Sequence, residues 1–326
     1  MESQVESFST FGVTFWPDDT GMKNASMTGL CMALAAAALW GTTGVAQSFA
    51  SAQASPYWIG ALRLAIASMF LAACIAWRQR GTGKGALGMP RPLWCWIGLA
   101  GACMAAYNLT FFAGIKATGI AIGTSIAIGS GPVWAGLLQT LVSRRPPPTA
   151  WWLGTLLAVG GGSLMVLPAG GDSPQVNGLG LGLCLAAGLA YASYTLISQR
   201  LVRQLPPTAV TFWVFTVAAI FAVSAAFMLS GRLALAPTGW LVVGYLGLVA
   251  TGLAYLLFSY ALQYISAATG VTLALGEPVT AFALAVWLVH ERPAPLAFAG
   301  LAMVLGGLLL VVWVEARPWR MSRPSH

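Results

Sequence analysis

The sequence predicts an all-α integral membrane protein of about ten transmembrane helices, written as two inverted five-helix repeats. Three observations carry that prediction. The 326-residue chain is 58% hydrophobic and only 7% charged, too few polar side chains to solvate a surface in water. Its glycines and prolines recur at a spacing of 146 residues, with Gly98, Gly101, Pro132, Pro147, Gly154 and Gly161 falling on Gly244, Gly247, Pro278, Pro293, Gly300 and Gly307. Further upstream a spacing of 151 lays Gly29 and Pro56 on Gly180 and Pro207. Lastly, the cations sort to one face. With the N-terminus in the cytoplasm, twelve of the sixteen Lys and Arg fall on the inner side and three on the outer, which selects N-in and C-in.

A crossing needs about 20 apolar residues, and the segments that supply them run 27–49, 56–77, 93–114, 118–142, 149–167, 178–199, 208–229, 238–260, 266–290 and 295–314. The domains that follow are a disordered acidic tail over 1–26, a first five-helix unit over 27–168, a second over 176–314 and a cytoplasmic tail over 315–326. Five helices per unit is odd, so the second copy enters from the opposite face. The charges agree: Arg144 and Arg145 in an inner loop correspond to His290 and Glu291 in an outer one. Two inverted halves that exchange conformations are the structural route to alternating access.

Along the chain, each span is read from what it carries. Span one brings Trp40, Thr43 and Gln47, and its counterpart, span six, brings Tyr191, Tyr194 and Thr195. Span three contributes Tyr107 and Asn108, and span eight Tyr255 and Ser259. If these groups face the axis between the halves, they line an aromatic cavity with hydroxyls and one amide, suited to an amphiphilic small molecule. The alternative for each Ser or Thr is a bond to its own helix backbone. Spans four and nine are interrupted at matching depth, by Gly131-Pro132 and by Gly276-Glu277-Pro278, and paired interruptions point to a midplane site and to hinges. Spans five and ten carry Gly154, Gly161, Gly300 and Gly307, small residues that let helices approach closely.

Of 24 formally charged residues only Arg63 and Glu277 lie well inside a span, where burial costs several kcal/mol. Glu277 either carries a proton or meets a cation, or else satisfies the backbone break that Pro278 makes. Arg63 either snorkels outward, pairs with Glu277, or binds a substrate carboxylate.

Other classes lack their parts. The net charge of +8 is spread over loops rather than gathered into a patch, which argues against nucleic acid as a partner. The five cysteines sit in apolar runs without metal-type spacing, and His290 and His326 are the sole histidines, so no metal or cofactor is expected. No Walker loop, HExxH or serine elbow is present, so the chain reads as neither enzyme nor ATP-driven pump.

The stretch LGEPVTAFALAVWLVHERPAPLAFAGLAMVLGGLLLVV over 275–312, its weaker copy over 131–166 and GALRLAIASMF around Arg63 together resemble the EamA branch of the drug/metabolite transporter superfamily. The resemblance covers 27–314. It implies a secondary transporter in the bacterial inner membrane with its site in a central cavity, commonly an exporter of amino acids, related metabolites or drugs. The first copy has Gly131 where the second has Glu277, so a coupling scheme with paired carboxylates lacks its second acid. The expectation is an exporter of small amphiphilic metabolites, amino acids favoured, with substrate among Trp40, Thr43, Arg63, Tyr107, Asn108, Tyr191, Tyr194 and Tyr255. Glu277 is the coupling site for a proton or another ion, and rocking occurs at Gly131, Pro132, Gly276 and Pro278. The alternatives are an organic-cation or multidrug exporter and, from another class, a membrane sensor that binds without transporting.

Overall fold

The computed structural model describes residues 19–49, 55–82, 90–144, 146–166, 178–233, 235–288, 290 and 293–316, and those residues are helical with short turns. In order they form α1 (Asp19–Gly41), α2 (Thr43–Ser48), α3 (Pro56–Thr82), a 3₁₀ turn at Arg91–Leu93, α4 (Trp94–Thr118), α5 (Ile120–Ser143) and α6 (Thr149–Val166). The second half continues with α7 (Gly178–Val202), α8 (Pro207–Ser230), α9 (Pro237–Gly247), a π-helical stretch at Leu248–Leu253 and α10 (Ala254–Ala261). It closes with α11 (Ala267–Leu273), a 3₁₀ turn at Ala274–Gly276, α12 (Glu277–Trp287) and α13 (Pro295–Ala316).

Nine helices among the described residues are long and apolar enough to cross a membrane. The fifth predicted span, α6, is 18 residues long and is not one of them; at 1.5 Å per residue it measures about 27 Å. The outer surface is apolar, as lipid contact requires: Trp77 is 78% and Met228 86% exposed. The core is built from alanine, with Ala36, Ala61, Ala67, Ala100, Ala218 and Ala254 fully buried, so helix backbones approach closely.

The boundaries differ from expectation in three places. Helix α1 starts at Asp19, inside the segment expected to be a tail, while 1–18 and the C-terminal 317–326 lie outside the described residues, as do Lys84, Arg145, Glu291 and Arg292. Span one is interrupted at Thr42, whose hydroxyl donates to the Leu39 carbonyl at 2.7 Å. The two expected hinges are unlike each other. Pro132 sits within the unbroken α5, whereas Gly276 closes a 3₁₀ turn and Pro278 lies in the first turn of α12, where its missing N–H costs nothing.

The helices pair in a recurring pattern. Helix α3 packs on α8 and α6 on α13; α4 packs on α7 and α8, while the α9–α10 segment packs on α1 and α3; α5 packs on α7, while α11 and α12 pack on α1. Close backbone approaches follow the sequence spacings. A Cβ at Gly161 would lie 2.5 Å from the Gly300 carbonyl oxygen, and one at Gly307 would strike the Gly154 carbonyl. Likewise Gly101 meets Val217 and Gly247 meets Ile66, each at 2.6 Å for an added Cβ. Among the described residues two non-glycines have positive φ, Arg144 at 54° and His290 at 59°, and they are also 146 residues apart, one after α5 and one after α12.

Candidate functional site

Between the helices lies a cavity of about 230 Å³, and its wall can be built up helix by helix. Helix α1 ends with Trp40 facing it, and α2 continues the same face with Thr43, Gly44 and Gln47. Helix α1 reaches this depth because Gly41 has no side chain: a Cβ there would lie 2.6 Å from the Glu277 carbonyl oxygen and 2.5 Å from the Thr280 Cβ. Glu277 opens α12 in the wall beside α1, after Val271 and Ala274.

Helix α4 supplies Tyr107, Asn108, Phe111, Phe112 and Ile115, a run at i, i+4 and i+8 that exposes one face to the cavity. The Asn108 amide donates to the Met104 carbonyl at 3.1 Å, which fixes its orientation. Arg63 projects from α3, and its Nε donates to the Thr251 hydroxyl at 3.0 Å. Thr251 belongs to the π-helical stretch, a local widening of the kind frequent at functional sites. Arg63 and Glu277 thus share one cavity, with no ion pair joining them among the described residues.

Aromatic rings form the floor. Trp40 and Tyr255 lie with centroids 4.9 Å apart, and Tyr107 and Tyr191 5.2 Å apart, both pairs tilted. Two polar atoms in this layer, Trp40 Nε1 and the Tyr191 hydroxyl, have no hydrogen-bond partner among the described residues. Each unpaired buried group costs about 1–3 kcal/mol, so both are ready to bond a guest.

Of the residues expected at the site, Trp40, Thr43, Arg63, Tyr107, Asn108, Tyr191, Tyr255 and Glu277 line this cavity. Tyr194 does not. It is 1% exposed and stands behind the wall, its ring 6.1 Å from both Tyr191 and Tyr255, because α7 turns that face toward α8 and Phe215. Sequence reasoning missed Phe111, Phe112, Ile115, Val271 and Ala274; helical spacing from Tyr107, Asn108 and Glu277 was the signal that would have found them. No cluster of three His, Cys, Asp or Glu able to hold a metal occurs among the described residues, and the five cysteines are free.

The lining is lopsided. It reaches toward the end of the bundle where α2 and α4 finish and α3 and α5 begin, through Gln47, Phe112, Ile115 and Thr124. Toward the other end it stops at Tyr191, Val271 and Glu277.

Comparison with known proteins gives this arrangement its context. The chain is 37% identical over 295 residues to a Bacillus subtilis protein described as the uncharacterized transporter YwfM, covering 90% of this chain and 96% of that one. It is 27% identical to the Escherichia coli threonine/homoserine exporter RhtA over 291 residues, 87% of this chain and 92% of the exporter. A crystal structure of a protein at 20% identity superposes with a TM-score of 0.74 over 90% of this chain and 99% of that one, so the fold is shared. The profile of the EamA-like transporter family matches twice, over 27–167 and again over 178–313, and this apolar helical bundle around a cavity with one acid and one arginine in its wall thereby belongs to the EamA-like transporter family.

Proposed function

We propose that this chain is a secondary active exporter of small amphiphilic metabolites, amino acids above all, working by alternating access about the central cavity. The observation that carries the reading is the pairing of Arg63 and Glu277 in one aromatic-walled space. A zwitterion presents a carboxylate to one and an ammonium to the other, and neither intramembrane charge is then left uncompensated. The volume of 230 Å³ equals about eight waters at roughly 30 Å³ each, the scale of an amino acid rather than a peptide. The 27% identity to a threonine/homoserine exporter points the same way.

Alternating access rests on the repeat, ten spans in two inverted units. Gly161 meets Gly300 while Gly154, the equivalent of Gly300, meets Gly307, the equivalent of Gly161; the same exchange relates Gly101–Val217 to Gly247–Ile66. Reciprocal contacts of this form are what an internal two-fold axis produces. The two separate matches of the family profile support the same division. Substrate contacts are assigned to Trp40, Thr43, Arg63, Tyr107, Asn108, Tyr191 and Tyr255, with Glu277 as the coupling site for a proton or another ion, in the cytoplasmic membrane with both termini inside.

Counterflow in liposomes holding only the purified protein tests this. Labelled threonine, homoserine and an aromatic amino acid are offered beside a quaternary amine, and saturable exchange of an amino acid is expected. Exchange of the amine alone would instead favour an organic-cation exporter, a reading that the aromatic floor beside Glu277 makes specific through cation–π contact.

A further inference from the structure

The end of the bundle opposite the cavity's reach is closed by side chains that mostly hold backbone rather than one another. Three helix ends converge on the turn between α10 and α11. Gln199, in the last turn of α7, donates its amide to the Ile265 carbonyl at 2.6 Å. Gln139, near the end of α5, accepts from the Ala268 N–H at 3.1 Å. Glu315, one residue before the end of α13, accepts from the Ser266 N–H at 2.9 Å and from the Thr269 hydroxyl at 2.6 Å. Gln263 of the turn answers by donating to the Val202 carbonyl at 2.9 Å.

Beneath this cluster lies the counterpart of the cavity. Gly44, Gln47, Phe112 and Thr124 line the cavity, and the sequence spacings of 151 and 146 carry them to Thr195, Ser198, Phe258 and Gly270. All four of the latter are buried, Ser198 to 1% exposure. Thr195 and Ser198 thus put two hydroxyls in a closed, packed layer, groups that water can solvate once it enters.

We infer that Gln139, Gln199 and Glu315 form a latch on the α10–α11 turn that holds the second mouth of the transport pathway shut, and that its release exposes the packed layer around Ser198. Under the topology proposed above this mouth is cytoplasmic. The inference rests on alternating access, but the latch is detectable without any transported substrate. The bonds are unlike those at the open end, where the equivalents of Gln139, Gln199 and Gln263 are Ala285, Ser48 and Ala117. The two mouths therefore close by different chemistry. The charge-assisted pair at Glu315 is the strongest of the set, and it ties the last helix to the N-terminus of α11.

The experiment uses Ser198→Cys in the full-length protein in detergent, treated with a sulfonated maleimide and followed by mass spectrometry on the peptide containing position 198. Buried Cys184 serves as an internal gauge of general loosening. Adding Glu315→Gln or Gln199→Ala raises the labelling rate at position 198 about tenfold or more while Cys184 stays slow. Gln204→Ala, whose amide bonds only the Arg200 carbonyl of its own helix at 3.3 Å, leaves the rate unchanged. Unchanged labelling in both latch variants overturns the inference, and so does a parallel rise at position 198 and Cys184, which marks lost packing instead of an opened mouth. Counterflow on the same preparations separates the two readings: absence of exchange in the parent protein retires the transporter reading, whereas the labelling ratio judges the latch alone.

Discussion

The half of the cavity that is lined and the half that is sealed are built from equivalent positions, yet they differ in what closes them. On the lined side α4 presents Asn108, Phe112 and Ile115 to open space. On the sealed side the equivalent Ala254, Phe258 and Ala261 are buried against neighbours. In the latch proposed above, small or well-packed residues let the second mouth close and long polar side chains at the helix ends pin it. The backbone crossings follow the glycine spacing on both sides, and the proposal assigns the difference in closure to the side chains.

The largest effect that would break this comparison concerns the charges at its centre. Arg63→Ala should lower amino-acid counterflow about a hundredfold by removing the carboxylate contact, whereas Arg63→Lys recovers part of it. An equal rate in Arg63→Ala would take the arginine out of substrate binding. Glu277→Gln should abolish the pH dependence of transport while the protein still inserts and elutes as a folded species; its charged and titratable neighbours in the cavity are Arg63, Tyr107, Tyr191 and Tyr255. An unaltered pH profile would remove Glu277 from coupling.

Next in size is the helix contact that both halves share. Gly161→Ala should cost about 1–3 kcal/mol, read as a fall in the thermal midpoint in detergent, because the added Cβ meets the Gly300 carbonyl oxygen at 2.5 Å and backbone cannot give way. Its neighbour Gly160 has only the Met303 Cε within reach, at 3.5 Å, so Gly160→Ala should be close to neutral or slightly stabilising. Similar midpoints for the pair would mean that α6 and α13 are not locked. A smaller difference separates the two layers of tyrosine: Tyr255→Phe should weaken exchange severalfold, about 1 kcal/mol, and Tyr194→Phe should leave substrate affinity unchanged. The smallest is expected at the equivalents Gln47 and Ser198. Gln47→Ala reduces affinity measured from the open side, whereas Ser198→Ala does not, since its hydroxyl is sealed off.

Much of this arrangement was legible in the residues. Glycine and proline spacing located the helix crossings, because close approach is a backbone property that few residues permit. The two intramembrane charges located the cavity, since burial without purpose is too costly to persist. Hydrophobic lining such as Phe111, Val271 and Ala274 was hidden among lipid-facing residues of the same type. Tyr194 looked equivalent to Tyr191, and only the rotation of α7 against α8 tells them apart. The π-helical stretch at Leu248–Leu253 that brings Thr251 to Arg63 has no residue that announces it. Gln139, Gln199 and Glu315 read as ordinary polar helix ends, because their partners are backbone groups 129, 66 and 49 residues away.

The glycine faces of α6 and α13 also have a consequence in time. Gly161 and Gly154 are translated roughly 140 residues ahead of Gly300 and Gly307, so at about 5–20 residues per second the first face waits on the order of ten seconds for its partner. Through that interval α6, short and glycine-faced, has α5 to lie against but not the partner of its glycine face. Helix α13 is therefore the element that completes the packing of α6, and a chain that terminates before α13 leaves that face bare.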